Sequence, residues 1–239
     1  MISRVRTLLA QRFAVKWRLW QWYATLVPRV LYGVRVRVEA QGRPQLHGWP
    51  RIVAPARSHG GSLELSIGRD VWFGSSRFVV AGGTSSITLG DQSDFADGVT
   101  FWVSGGSVTI GDRAHVREGA AMRAYGELTI GRRAVLSYFC VLHCGHRVTL
   151  GDDVVFAERS TIADGDHTAD DEAICRAPVR SEAVEIDDNV LVSAGAVIAR
   201  GVRLASKTIV AANSVVTAKQ EWPSGVLIGG VPAVVLRQL

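Results

Sequence analysis

Between residues 186 and 217 every sixth position is aliphatic: Ile186, Val192, Ile198, Leu204, Val210 and Val216. The residue after each is short (Asp187, Ser193, Ala199, Ala205, Ala211, Thr217), and the fifth position of each hexad is Val190, Ala196, Val202, Thr208 or Ser214. Neither the helical period of 3.6 nor a simple alternation of two generates these three tracks in register. They mark a repeat. A period of six suits a coil with three short flat faces, one aliphatic per face pointing inward and a small residue turning each corner. Successive coils then stack as parallel strands about 4.8 Å apart, each covering the apolar edge of the last. The pattern predicts a parallel β-helix.

The same signal reaches further back in a looser form. Aliphatic-Gly pairs recur at Ile67-Gly68, Leu89-Gly90, Ile110-Gly111, Ile130-Gly131 and Leu150-Gly151. Their spacings exceed the eighteen residues of three hexads, so each early coil carries extra residues, expected as bulges or short corner loops, with Gly82-Gly83 and Gly105-Gly106 as candidates. From Leu150 the hexad continues through Phe156 and Ile162, then fails: Pro178 and Arg180 do not suit a buried coil. Residues 168–184 are therefore expected as a loop thrown out from the solenoid, where rigid scaffolds often place function.

The amino-terminal end follows a different rule. Residues 2–27 lack Gly and Pro, and Ile2, Leu9, Phe13, Trp17, Trp20, Ala24 and Val27 share one side at helical spacing, while Leu8, Leu19, Trp22 and Leu26 lie elsewhere. A helix ending near Leu26, before Pro28, is expected. VRVRVEA, from Val34, alternates as a strand. The expected organisation is a basic, Trp-rich helical segment (1–33), a lead-in (34–65), the solenoid (66–228) and a tail (229–239).

Charge adds one distinction. Residues 1–37 hold eight of the 27 Lys/Arg and no acid, which leaves 19 against 22 Asp/Glu and a net of −3 for the remainder. The basic character belongs to the helix rather than to a nucleic-acid surface. No apolar run is long enough to span a bilayer, and no signal-peptide cleavage pattern follows. Two readings of the helix remain open: a cover for the solenoid's first coil, or contact of residues 1–27 with an anionic membrane surface. Three cysteines, Cys140, Cys144 and Cys175, form no dense framework, and the expected location is the cytoplasm, with peripheral contact to the inner face of the membrane as the second reading.

The hexads of residues 186–217, followed by Gly229-Gly230-Val231-Pro232-Ala233-Val234-Val235-Leu236-Arg237, resemble the carboxyl end of hexapeptide-repeat acyltransferases of the sugar O-acetyltransferase type. The likeness covers residues 66 to 237. It implies an all-β, left-handed parallel β-helix with a helical appendage, assembled as a homotrimer, and acetyl-CoA as acyl donor with no metal. It also implies a general base at His167, at the mouth of the extruded loop. Transfer from a thioester to a hydroxyl needs such a group, because an alcohol is a weak nucleophile at neutral pH. Asp164, Asp166, Asp170 and Asp171 crowd this histidine, and the sequence does not choose which would orient it.

His146 falls fifteen residues past Gly131 while His167 falls sixteen past Gly151, so the two are expected on adjacent coils, with His146, Asp164 and Asp166 as candidate acceptor contacts. Zinc would need a third converging ligand, and His115 and His143 lie at other phases of the coil. By position the family motif places Ala194 and Ala212 beside the pantetheine and Thr217 and Arg237 near the nucleotide phosphates. A lysine that commonly follows that threonine is replaced by Ala218, with Lys219 one place on. The resulting expectation is O-acetylation of a sugar or glycoconjugate hydroxyl. The alternatives are N-acetylation of an amino sugar nucleotide and a non-catalytic scaffold.

Overall fold

The computed structural model describes residues 2–55, 60–168, 177–218 and 221–239. A single helix, α1 (Ile2–Tyr32), precedes a parallel β-solenoid. Each of the three faces is a parallel sheet to which eight successive coils contribute one strand. The first face runs from Arg35–Ala40 to Arg203–Leu204, the second from Gln45–Leu46 to Ile209–Val210, and the third from Arg51–Val53 to Val215–Val216. The second face ends in an antiparallel hairpin of Val226–Gly230 and Ala233–Gln238.

The aliphatic tracks become the core: Ile186, Val192, Ile198, Leu204, Val210 and Val216 are all buried, as are Val190, Ala196 and Val202. The register confirms the repeat, since Ile186 pairs with Leu204 and Val192 with Val210. Coil stacking begins before the aliphatic-Gly signal does. Arg35–Ala40 pairs along its whole length with Ser62–Ile67, so the expected lead-in strand is already the first coil. Its alternation VRVRVEA leaves Val36 and Val38 half-buried against the core.

The corners are made by close approach. A Cβ on Gly151 would lie 2.3 Å from an Asp188 carboxylate oxygen and 2.7 Å from its amide nitrogen, so only glycine fits there. The next coil's aspartate closes the same corner: Asp152 accepts a hydrogen bond from the Arg132 N–H at 2.7 Å, and Asp188 from the Asp152 N–H at 2.7 Å. The surplus residues of the early coils sit mainly in longer strands. First-face strands have six residues in Ser62–Ile67 and Thr84–Leu89 but two in Arg203–Leu204. The Gly82-Gly83 and Gly105-Gly106 pairs do lie at the corner between the third and first faces.

The helix continues past the expected stop near Leu26. Pro28 lies inside it, and the end comes at Gly33. Pro28 gives up the N–H that would bond the Ala24 carbonyl, and the helix runs only four residues beyond it, to Tyr32. Gly33, at φ +69°, then donates to the Arg29 carbonyl at 3.1 Å while Val34 reaches back to Pro28 at 3.2 Å. Trp17, Trp20 and Ala24 are buried against the first coil, and the Trp20 indole N–H donates to the Pro50 carbonyl at 2.7 Å. Burying each such large side chain contributes about 1.5–3 kcal/mol. The helix therefore covers the open amino-terminal end of the core. Among the described residues no helix is long and apolar enough to cross a membrane.

Candidate active site

One corner, between the third and first faces, carries the features of interest. In the early coils it is turned by the glycine pairs and then by Tyr125-Gly126 and Gly145-His146. In the sixth coil the chain leaves it as a hairpin whose arms, Gly165–His167 and Val179–Ser181, pair antiparallel with Asp166 opposite Arg180. Afterwards the corner resumes as Arg200-Gly201 and finally Thr217-Ala218.

His167 ends the first arm of the hairpin and is exposed. Its Nδ1 lies 2.8 Å from the Ala177 carbonyl oxygen. A carbonyl can only accept, so Nδ1 carries a proton, and in the neutral imidazole the lone pair falls on Nε2, the tautomer that a proton-accepting imidazole requires. A carboxylate was expected in this orienting role, and the backbone carbonyl of Ala177 fills it instead. Asp170 and Asp171 lie outside the described residues.

The two described aspartates do other work. Asp164 is buried, and its carboxylate takes three backbone N–H groups, from Gly145 at 2.6 Å, His146 at 2.7 Å and Arg147 at 3.0 Å. It ties the hairpin's root to the corner of the preceding coil. Asp166 pairs with Arg200 at 2.8 Å, and Arg200 also pairs with Glu182, which lies just past the second arm. Arg200 thus braces the hairpin from the next coil. The sequence offered a faint signal for it, an arginine at a corner where neighbouring hexads place small residues.

His146 is exposed at the corner one coil earlier, held by its backbone N–H on Asp164. No hydrogen bond or ring contact joins it to His167. It lines a trough of about 570 Å³ on the amino-terminal side of the hairpin, with Ser86, Gly105, Gly126, Glu127 and Arg147. The third face adds a column that sequence reasoning did not single out: Trp102, Arg123, His143 and Ala163 are neighbours in register across four coils. The Arg123 guanidinium lies 5.4 Å from the Trp102 ring and donates to the Tyr125 hydroxyl at 2.7 Å. Burial, and then the Arg123 charge, push the His143 imidazole below its ordinary value, favouring its neutral form.

His115 lies on the second face against the Asp94 carboxylate, away from both His143 and His167. Among the described residues no three His, Cys, Asp or Glu side chains converge as a metal set. His47 packs between Phe13 and Trp72, and His59 lies outside the described residues. Cys140 and Cys144 are buried core residues, and burial pushes the Cys144 thiol up to about 12. Cys175 lies outside the described residues.

Ala194 and Ala212 occupy the same position in successive coils, at the corner between the second and third faces. The Asn213 N–H donates to the Ala194 carbonyl at 2.9 Å, fixing one above the other. Ala212 is exposed and Ala194 half-buried, so an extended molecule could lie against both without meeting a side chain beyond Cβ. Thr217 follows the last third-face strand, whereas Arg237 sits on the terminal hairpin opposite Leu227. Lys219 lies outside the described residues.

No protein-family model matches the chain. The galactoside O-acetyltransferase of Escherichia coli (strain K12) is 27% identical over 131 residues, 55% of this chain and 64% of that protein. The 2,3,4,5-tetrahydropyridine-2,6-dicarboxylate N-acetyltransferase of Staphylococcus aureus (strain JH9) is 44% identical over 61 residues, 26% of this chain and 25% of that protein. The chain thus spans less than two thirds of these curated relatives. Among solved structures, a UDP-N-acetylglucosamine acyltransferase from Bacteroides fragilis aligns with a TM-score of 0.53 at 15% identity, covering 80% of this chain and 71% of that one, a likeness of fold. A hexapeptide-repeat acetyltransferase of Vibrio cholerae, complexed with acetyl coenzyme A, aligns over 60% of this chain and 72% of that one at 25% identity, with a TM-score of 0.43. The hexad register and the coil stacking make the chain a parallel β-solenoid, and over part of its length its sequence is similar to acetyltransferases.

Proposed function

We propose that this protein transfers an acetyl group from acetyl-CoA to a hydroxyl of a sugar or glycoconjugate, with His167 as general base. The observation that carries this reading is the Nδ1–H bond to the Ala177 carbonyl, which makes Nε2, on an exposed hairpin, the ring nitrogen available to accept a proton. Nε2 takes the acceptor hydroxyl's proton as its oxygen attacks the thioester carbonyl carbon. The tetrahedral oxyanion collapses with cleavage of the C–S bond, and the imidazolium returns its proton to the departing CoA thiolate.

The acetyl-CoA arm is placed along Ala194 and Ala212, where side chains stop at Cβ, with Thr217 and Arg237 toward the nucleotide. The acceptor is placed in the trough beside the hairpin, where Glu127, His146 and Arg147 offer polar contacts. Asp164 and Asp166 act in this scheme by positioning the hairpin. His167 leaves the far edge of the third face, after Thr161–Ala163, while Ala194 precedes that face at Val197–Ile198. Base and donor corner therefore sit at opposite edges of one face, which supports a groove closed by a second copy and hence the homotrimer.

A hydroxyl acceptor is favoured over an amine by the larger share of the chain aligned with the O-acetyltransferase relative, 55% against 26%. Incubation with acetyl-CoA and neutral or amino sugars separates the two. An acetylated product cleaved by hydroxylamine is the expected ester; a resistant product on amino sugars alone would replace this reading with N-acetylation.

A further inference from the structure

Helix α1 has two apolar sides, and only one is used by the solenoid. Trp17, Trp20, Ala24 and Pro28 are buried against the first coil. Val15, Leu19, Trp22, Leu26 and Val30 follow one another at steps of four, three, four and four, and so stack along a second stripe. At about 100° per residue this stripe faces roughly 150° away from the packed one. All five side chains are exposed, Trp22 to 64% and Val30 to 70%. At about 1.5 Å per residue the stripe is roughly 22 Å long.

Its surroundings are positive. Arg18 and Arg29 lie along one edge of the stripe and are exposed, and no acidic residue occurs before Glu39. Lys16 does not belong to this set, because its ammonium is turned toward the Leu46 and His47 carbonyls at 2.7 and 3.1 Å. We propose that this stripe docks the protein on an anionic lipid surface, with Leu19, Trp22 and Leu26 in the headgroup–acyl boundary and Arg18 and Arg29 against lipid phosphates.

Each part of the arrangement suits that occupant. An interfacial helix lies in the membrane plane, apolar stripe down, with arginines beside it and an aromatic at headgroup depth. A second copy packed stripe to stripe across a twofold axis would instead bring like charges together with no carboxylate on the helix to offset them. The solenoid behind the helix stays in water, since the packed side of α1 already holds it. This inference is independent of the acetyl-transfer reading.

The test is flotation of the full chain with vesicles of phosphatidylcholine alone and of phosphatidylcholine mixed with phosphatidylglycerol. The chain is expected to float with the mixed vesicles and to be released as salt is raised toward concentrations that screen the arginines. Removing Arg18 and Arg29 as R18Q/R29Q is expected to weaken binding about fivefold per arginine. The variant W22E/L26E is expected to abolish flotation with an unchanged melting temperature, since both positions are exposed. If W22E/L26E fails to fold, the arginine pair, whose side chains support no packing, decides the question. Absence of flotation by the unaltered chain, or flotation indifferent to both variants, overturns the proposal. So does an assembly, seen by sedimentation equilibrium without lipid, that W22E/L26E dissociates, because a second copy would then cover the stripe.

Discussion

The coils before the hairpin and those after it solve one packing problem at two widths. Before it, third-face strands such as Arg77–Val80 and Thr100–Val103 have four residues, and the core holds Phe73, Phe78, Phe95 and Phe101. Their rings stack from coil to coil, Phe78 on Phe101 at 5.0 Å and Phe73 on Phe95 at 5.4 Å. After it, Val197–Ile198 and Val215–Val216 have two residues each, and the core is Val, Ile, Leu and Ala with Trp222 near its carboxyl end as the one large ring among the described residues; Phe156 is the last phenylalanine in the chain. Coil width and side-chain size therefore change together. The wide half builds faces broad enough for a trough and for the Trp102–Arg123–His143 column. The narrow half exposes corners of alanine. The hairpin bearing His167 leaves at the junction.

The largest expected effect comes from emptying the wide core. Phe101→Ala removes a ring packed on both Phe78 and Phe95 and should cost about 3–5 kcal/mol, lowering the melting temperature by roughly 10 °C or more. Ile198→Val in the narrow core should cost only about 0.5–1.5 kcal/mol. Equal losses in thermal melts would mean that width and side-chain size are not coupled.

Cutting the junction itself is next. Asp164→Ala takes the shared acceptor from three backbone N–H groups at a corner whose residues are exposed, so water replaces it in part and the total cost should be about 1–3 kcal/mol. The expected result is a melting temperature several degrees lower, together with loss of acetyl transfer as the hairpin shifts. An unchanged melt would deny Asp164 its part in joining the two halves.

The smallest effect on stability is expected at the alanine corner. Ala212 is exposed, so Ala212→Leu should change stability by no more than about 0.5 kcal/mol. The added side chain stands where the pantetheine arm is placed and should raise the KM for acetyl-CoA about tenfold or more while leaving the melt unchanged. A normal KM would move the donor away from this corner.

How much of this the sequence revealed differs between the halves for the same physical reason. Where the coil is eighteen residues, one aliphatic per six residues is a geometric necessity, and the tracks from Ile186 to Val216 could be read directly. In the wide half the added residues disturb the period, so the first coil at Arg35–Ala40 looked like a lead-in strand. Pro28 looked like a stop because proline usually ends helices, whereas the left-handed conformation at Gly33 sets the end. At the candidate site, the sequence put His167 forward by resemblance and by its place before the regular coils, and its role there is a proposal. Its partner was not, because a backbone carbonyl ten residues away leaves no mark in a pattern of side chains. Asp164 was legible as a residue near the site but not as the ligand of three backbone N–H groups, a role that depends on which coil lies beside it.

The most direct test is thiol release from acetyl-CoA by the wild-type chain beside His167→Ala, with a panel of mono- and oligosaccharide acceptors. The account predicts acceptor-dependent release by the wild type and a fall of about 10²–10⁴-fold in the variant, the usual contribution of a positioned general base. The variant should keep its melting temperature, since His167 is exposed. Release undiminished in the variant, or no release with any acceptor and no thermal stabilisation of the wild type by CoA, would contradict it.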